Sequence, residues 1–90
     1  MTLEEYEIAV MRRMCENGFI GSNYKPTPFI SKVIDWSDIQ HEFGVRKKFK
    51  SVARGLKRKG FANDHGKSFK VLSLTQAGVL LIEGSDSDNF

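Results

Sequence analysis

The stretch Gly44-Val45-Arg46-Lys47-Lys48-Phe49-Lys50-Ser51-Val52-Ala53-Arg54-Gly55-Leu56-Lys57-Arg58-Lys59-Gly60 decides how the rest of the chain is read. Val45, Phe49, Val52, Ala53 and Leu56 recur at helical spacing, which predicts an amphipathic helix over residues 45–59 that Gly60 stops. On a wheel of 100° per residue these apolar positions fall within about 100° of one another, and Lys47, Ser51, Arg54 and Arg58 fall opposite them with Lys50 alongside. Arg46, Lys48, Lys57 and Lys59 lie towards the sides. Between Gly44 and Asn63 there are eight basic residues and no acidic one.

Upstream, residues 35–43 are predicted to form a shorter helix. Asp35 as its cap makes a hydrophobic staple of Ile34 and Ile39, and Ser37 as its cap puts Gln40 at the capping-box position. A first helix over residues 3–17 carries Leu3, Tyr6, Val10 and Met14 on one face, opens with Thr2 and Glu5 at capping-box spacing and stops at Gly18. Between the two, Gly21, Ser22, Asn23, Pro26 and Pro28 read as loop, while Phe29, Ile30, Val33 and Ile34 require burial. Thr27 with Pro28 can start a short helix there, and residues 30–34 can equally form a short strand.

Downstream, the period changes from helical to extended. Residues 61–64, a His65-Gly66 turn and residues 67–74 predict a hairpin in which Phe69 and Val71 alternate with Ser68 and Lys70. Thr75 is placed to cap a last short helix reaching Glu83, and residues 85–90 read as a flexible acidic tail beyond a single domain over residues 1–84.

Composition removes whole classes of function. Ninety residues with 40% hydrophobic and 28% charged side chains suit one small globular core. The longest apolar run, residues 79–82, is too short to span a bilayer, and Glu4, Glu5 and Glu7 stand where a secretory leader would be basic and then apolar, so a cytoplasmic location is expected. Cys15 is alone, so no internal disulfide forms, and with His41 and His65 it makes no zinc spacing. Cys15 lies on a different predicted element from His41, Asp38 and Glu42, and the four show no ligand spacing, so neither an enzyme nor a metal or organic cofactor is expected.

The net charge of +3 is mild, but its distribution is not, because the first helix carries four glutamates while the basic residues collect after Gly44. Two helices joined by a short glycine-containing turn, the second strongly basic, outline a helix-turn-helix. A face of Lys47, Ser51, Arg54 and Arg58, with Lys50 alongside, can lie in a major groove, and Arg46, Lys48, Lys57 and Lys59 towards its sides are placed for phosphates.

Ile39-Gln40-His41-Glu42-Phe43-Gly44-Val45, the run from Val52 through Phe61, and Leu74-Thr75-Gln76-Ala77-Gly78 together resemble the winged helix-turn-helix pattern of bacterial and archaeal transcription regulators over residues 34–83. The resemblance implies an α+β fold with a three-helix core, a C-terminal hairpin wing and a short last helix. It implies double-stranded DNA as the partner and transcription regulation as the role, with the helix starting near Val45 in the major groove and the wing, through Lys67 and Lys70, on the backbone. Two departures from the pattern stand out: the long connection over residues 18–34, and Gly55 inside the helix, which costs up to about 1 kcal/mol relative to alanine. The rival is a winged-helix interaction module whose basic face docks an acidic partner in a larger assembly.

The remaining residues read more plainly. Trp36 is expected in the core, and His65 is expected to be exposed at the hairpin tip. Tyr24 beside Lys25 is a candidate backbone contact. Ile8, Met11 and Cys15 form a second apolar face on the first helix, and residues 79–82 are apolar throughout, which predicts a homodimer joined through these two surfaces.

Overall fold

A computed structural model describes residues 3–87. The chain is α+β, with five helices and one small antiparallel sheet: α1 (Glu5–Glu16), β1 (Lys25–Pro26), α2 (Thr27–Val33), α3 (Trp36–Phe43), α4 (Phe49–Arg58), β2 (Ala62–Asp64), β3 (Val71–Leu74) and α5 (Gln76–Ser87). The sequence predicts four helices, a segment before residue 35 open between a short helix and a short strand, and a two-stranded hairpin. The sheet instead runs β1-β3-β2, and the added strand comes from the long connection after α1.

α1 begins where the Glu4 N–H donates to the Glu7 carboxylate at 2.9 Å. Glu4 and Glu7 therefore occupy the positions assigned to Thr2 and Glu5, and Thr2 lies outside the described residues. The connection is tied to the sheet edge, since Leu74 N–H donates to the Phe19 carbonyl at 2.8 Å and Gly21 N–H donates to the Leu74 carbonyl at 2.9 Å. β1 then pairs with β3, Lys25 opposite Leu72 and Pro26 opposite Val71. Both alternatives for this region resolve in favour of the helix: α2 starts at Thr27 with Pro28 in its first turn and buries Ile30.

Asp35 caps α3, accepting from the Asp38 N–H at 3.3 Å, and does so with φ 56°, a left-handed conformation that asparagine and aspartate tolerate better than other side chains. Ile34 and Ile39, the two ends of the expected staple, are both fully buried. Arg13 of α1 ties this corner down by donating to the Ile34 carbonyl and to Asp38, each at 2.9 Å.

The next helix corrects the reading that opened the sequence. Gly44 adopts φ 66°, Val45 N–H returns to the Gln40 carbonyl at 2.9 Å, and the Gln40 side-chain amide donates to the Lys47 carbonyl at 2.9 Å. These bonds hold residues 44–48 as a turn, so the helix begins at Phe49 rather than Val45. Phe49, Val52, Ala53 and Leu56 are buried as expected, and Val45 is half-buried on the turn.

The hairpin is shorter than expected and its connection longer. β2 and β3 pair Ala62 with Leu74, Asn63 with Ser73 and Asp64 with Leu72. The two-residue His65-Gly66 turn is replaced by a loop running to Lys70, in which Ser68 and Phe69 adopt φ 61° and 59°. Thr75 then caps α5 by accepting from the Gly78 N–H at 3.1 Å, and its hydroxyl donates to the Gly60 carbonyl at 2.8 Å. A Cβ at Gly78 would stand 2.7 Å from the Phe61 carbonyl oxygen, so the Leu-Thr-x-x-Gly segment serves two local needs: a cap at Thr75 and a close approach at Gly78.

α5 continues through Ser87, past the start of the expected tail; the rest of that tail lies outside the described residues. It packs on α1 within the same chain, and Met11 is wholly buried, so the surface expected to join two copies is largely covered internally. Val79 and Ile82 turn inward, while Leu80 and Leu81 stay exposed. Among the described residues no helix is long and apolar enough to cross a membrane.

Candidate nucleic-acid interface

The sequence-predicted residues Arg46, Lys47, Lys48, Lys50, Ser51, Arg54, Lys57, Arg58, Lys67 and Lys70 are all exposed. Their elements differ from those expected. Arg46, Lys47 and Lys48 belong to the turn before α4, Lys50 to Arg58 belong to α4 itself, and Lys67 and Lys70 lie on the loop between β2 and β3. Because α4 buries Phe49, Val52, Ala53 and Leu56 beneath it, Ser51, Arg54 and Arg58 are left on its outer side.

The fold brings five of these residues to one groove. Arg46, Lys47, Ser51, Arg54 and Arg58 line a depression of about 830 Å³ together with Gly55 and Lys59, and its other wall is the start of α1 through Glu4, Tyr6 and Glu7. That wall was not foreseen, because Tyr6 reads as a core residue of the first helix. Its hydroxyl accepts a hydrogen bond from the Lys47 ammonium at 3.1 Å, and that ammonium lies 5.7 Å from the ring centroid. The hydrogen bond raises the pKa of Lys47 above the ordinary lysine value, with smaller support from the Glu7 and Glu4 charges. Lys47 therefore remains charged throughout the neutral range.

Glu7 has a second role. It is 3% exposed, and Lys59 bonds to it at 2.6 Å. Lys59 is thus a structural cation joining the end of α4 to the start of α1, and its partner on the acidic first helix is compensated. Gly55 lies over the same carboxylate: a Cβ there would meet only Glu7 Oε2, at 3.5 Å, an ordinary contact. No close backbone approach explains this glycine.

Towards the hairpin the arrangement is different. Arg54 and Lys57 each lie 5.5 Å from the centroid of Phe69, and Lys57 also stands 3.8 Å from Asp64. Lys50 and Lys70 border a second hollow, about 310 Å³, between Phe49, Phe69 and the start of α2. Lys48 and Lys67 line neither depression. Arg46, Lys48, Lys50, Arg58, Lys67 and Lys70 form no ion pair among the described residues.

His65 is exposed but not idle. It stacks on Tyr24 at 4.1 Å, and its Nε2 lies 2.9 Å from the hydroxyl of the fully buried Ser73. Ser73 donates its own proton to the Gly21 carbonyl at 2.8 Å, so His65 is the donor and carries a proton on Nε2. Tyr24 and His65 thereby fasten the connection after α1 to the sheet. Trp36 is buried between Tyr6 and Phe49, as expected of a core residue. No group of His, Cys, Asp or Glu among the described residues is arranged to hold a metal ion.

Comparison of the chain with protein-family models, curated proteins and solved structures finds no match.

Proposed function

We propose that the chain binds double-stranded DNA as a winged helix-turn-helix, with α4 in the major groove, the β2–β3 loop on the sugar–phosphate backbone, and transcription regulation as its role. The observation that carries this reading is the groove lined by Arg46 and Lys47 of the turn and by Ser51, Arg54 and Arg58 of α4, a helix without a single carboxylate. An α-helix fits the major groove, where arginine and lysine reach guanine edges and a serine hydroxyl reaches a base or a phosphate. The cations of the turn precede that helix, and the loop brings Lys70 to the hollow that Lys50 borders, positions that suit phosphate contacts. The order α3, turn, α4, β2, β3 supports the winged-helix assignment, with β1 completing the sheet behind the hairpin.

Titration of a labelled duplex at several salt concentrations tests the proposal. If about five phosphates are neutralised, log affinity falls against log salt with a slope of roughly −4 to −5. A Lys47→Ala, Arg54→Ala double variant that stays folded is expected to lose most binding, and unchanged affinity would refute this face as the contact. The second reading, an interaction module for an acidic protein partner, is favoured by the exposed Phe29, Val33, Leu80 and Leu81, the last two on α5. Failure to bind duplex DNA even at low salt selects it.

A further inference from the structure

We propose that Phe69 is a positioning residue of this interface, holding Arg54 and Lys57 as a pair at the seam between α4 and the β2–β3 loop so that both meet the same stretch of phosphate backbone. The inference rests on the DNA reading above and adds to it a residue without charge.

Arg54 and Lys57 are one helical turn apart, and two cations at that spacing repel each other. Left alone in water they would diverge. Here both are drawn to one ring, Arg54 Cζ and Lys57 Nζ each lying 5.5 Å from its centroid. A carboxylate in the same place would neutralise them and occupy their donors. An aromatic face attracts the charge through its quadrupole and leaves the N–H groups at the edge of the guanidinium available to phosphate oxygens. Asp64, 3.8 Å from the Lys57 ammonium, offsets part of that charge, whereas Arg54 forms no ion pair among the described residues and is held by the ring with its charge intact.

The ring is placed there by its backbone. Ser68 and Phe69 both adopt left-handed φ values, which is rare for a bulky side chain and persists only where neighbouring structure enforces it. The enforcement comes from the start of α2: the buried Thr27 donates its hydroxyl proton to the Phe69 carbonyl, and the Thr27 N–H donates to the Lys70 carbonyl at 2.8 Å. The His65 N–H closes the loop on the Val71 carbonyl at 3.0 Å. Lys50 and Lys70 border the hollow that the same ring lines, so four cations of the interface gather about Phe69.

The test uses the full chain and a labelled random-sequence duplex. Phe69→Leu keeps an apolar side chain but removes the quadrupole. Affinity is expected to fall about five-fold, with the salt slope smaller in magnitude by about one to two as Arg54 and Lys57 leave their phosphates. Phe69→Tyr keeps the aromatic face and is expected to restore both. In the DNA-free protein, the Arg54 and Lys57 side-chain protons should show upfield ring-current shifts that survive in Phe69→Tyr and vanish in Phe69→Leu.

A folded Phe69→Leu variant with wild-type affinity and slope overturns the proposal, as does a Phe69→Tyr variant as weak as the leucine one. Should Phe69→Leu not fold, the absence of ring-current shifts in the wild-type chain overturns it by itself. Wild-type protein that binds no duplex at low salt defeats the DNA reading first, and this proposal with it.

Discussion

At the start of α4, Arg46, Lys48 and Lys50 stand exposed without an ion pair among the described residues, whereas at its end Lys57 leans on Phe69 and Asp64 and Lys59 is bonded to the buried Glu7. By sequence the two ends are equally basic. The fold takes Lys59 into its own frame, holds Lys57 in place at the surface, and leaves the other set to solvent. The first set also suits the helix, because positive charge near a C-terminus offsets the helix dipole. The second set works against it: the N-terminus of α4 has no side-chain cap and no acidic residue in its first turn, and a cation there costs about 0.3–1 kcal/mol. Residues that oppose local stability in this way belong where function is expected.

Three variants can break or sharpen this contrast. The largest effect is expected from Lys59→Ala, which leaves the Glu7 carboxylate buried without its partner and should lower stability by about 3 kcal/mol in urea unfolding followed by circular dichroism. Preserved stability would show that both ends of α4 are merely solvated. Next is Lys48→Ala with Lys50→Ala. Stability should hold or rise by up to about 1 kcal/mol, while duplex affinity at fixed salt drops about ten-fold and the salt slope shrinks by about two. A loss of stability equal to that of Lys59→Ala would erase the distinction. The smallest effect lies between the two ends, where Gly55→Ala should raise stability by up to about 1 kcal/mol, since the added methyl meets only an ordinary contact with Glu7. A lower melting temperature would mean that Glu7 cannot accept even that neighbour.

Much of the helical frame was legible because it depends on local periodicity. Phe49, Val52, Ala53 and Leu56 were assigned to one face from spacing alone, and all are buried. Thr75 declared itself as a cap through residue type and position, and Asp35 was one of two candidates beside Ser37 until the fold chose it. What escaped depends on partners distant in sequence. β1 is two residues long, contains Pro26, and becomes a strand only because β3 lies beside it. Val45 and Lys47 look helical, yet their backbone groups bond to Gln40. Phe69 carries no signal for a left-handed conformation, since a bulky residue is the last expected there. The candidate site was legible as a charge inventory. The separation of free from engaged cations was not, because Glu7, Asp64 and Phe69 are brought to α4 by the fold.

Trp36, the only tryptophan in the chain, lies 6.4 Å from Tyr6 and 5.7 Å from Phe49, where α1, α3 and α4 meet. It is 6% exposed, and its indole N–H has no hydrogen-bond partner among the described residues. An indole so enclosed emits at short wavelength, and Tyr6 is close enough to pass its excitation to it. The same tyrosine accepts the Lys47 hydrogen bond. A phosphate that draws Lys47 away alters the donor of that energy transfer, so the native chain carries its own optical readout of whether its basic turn is occupied.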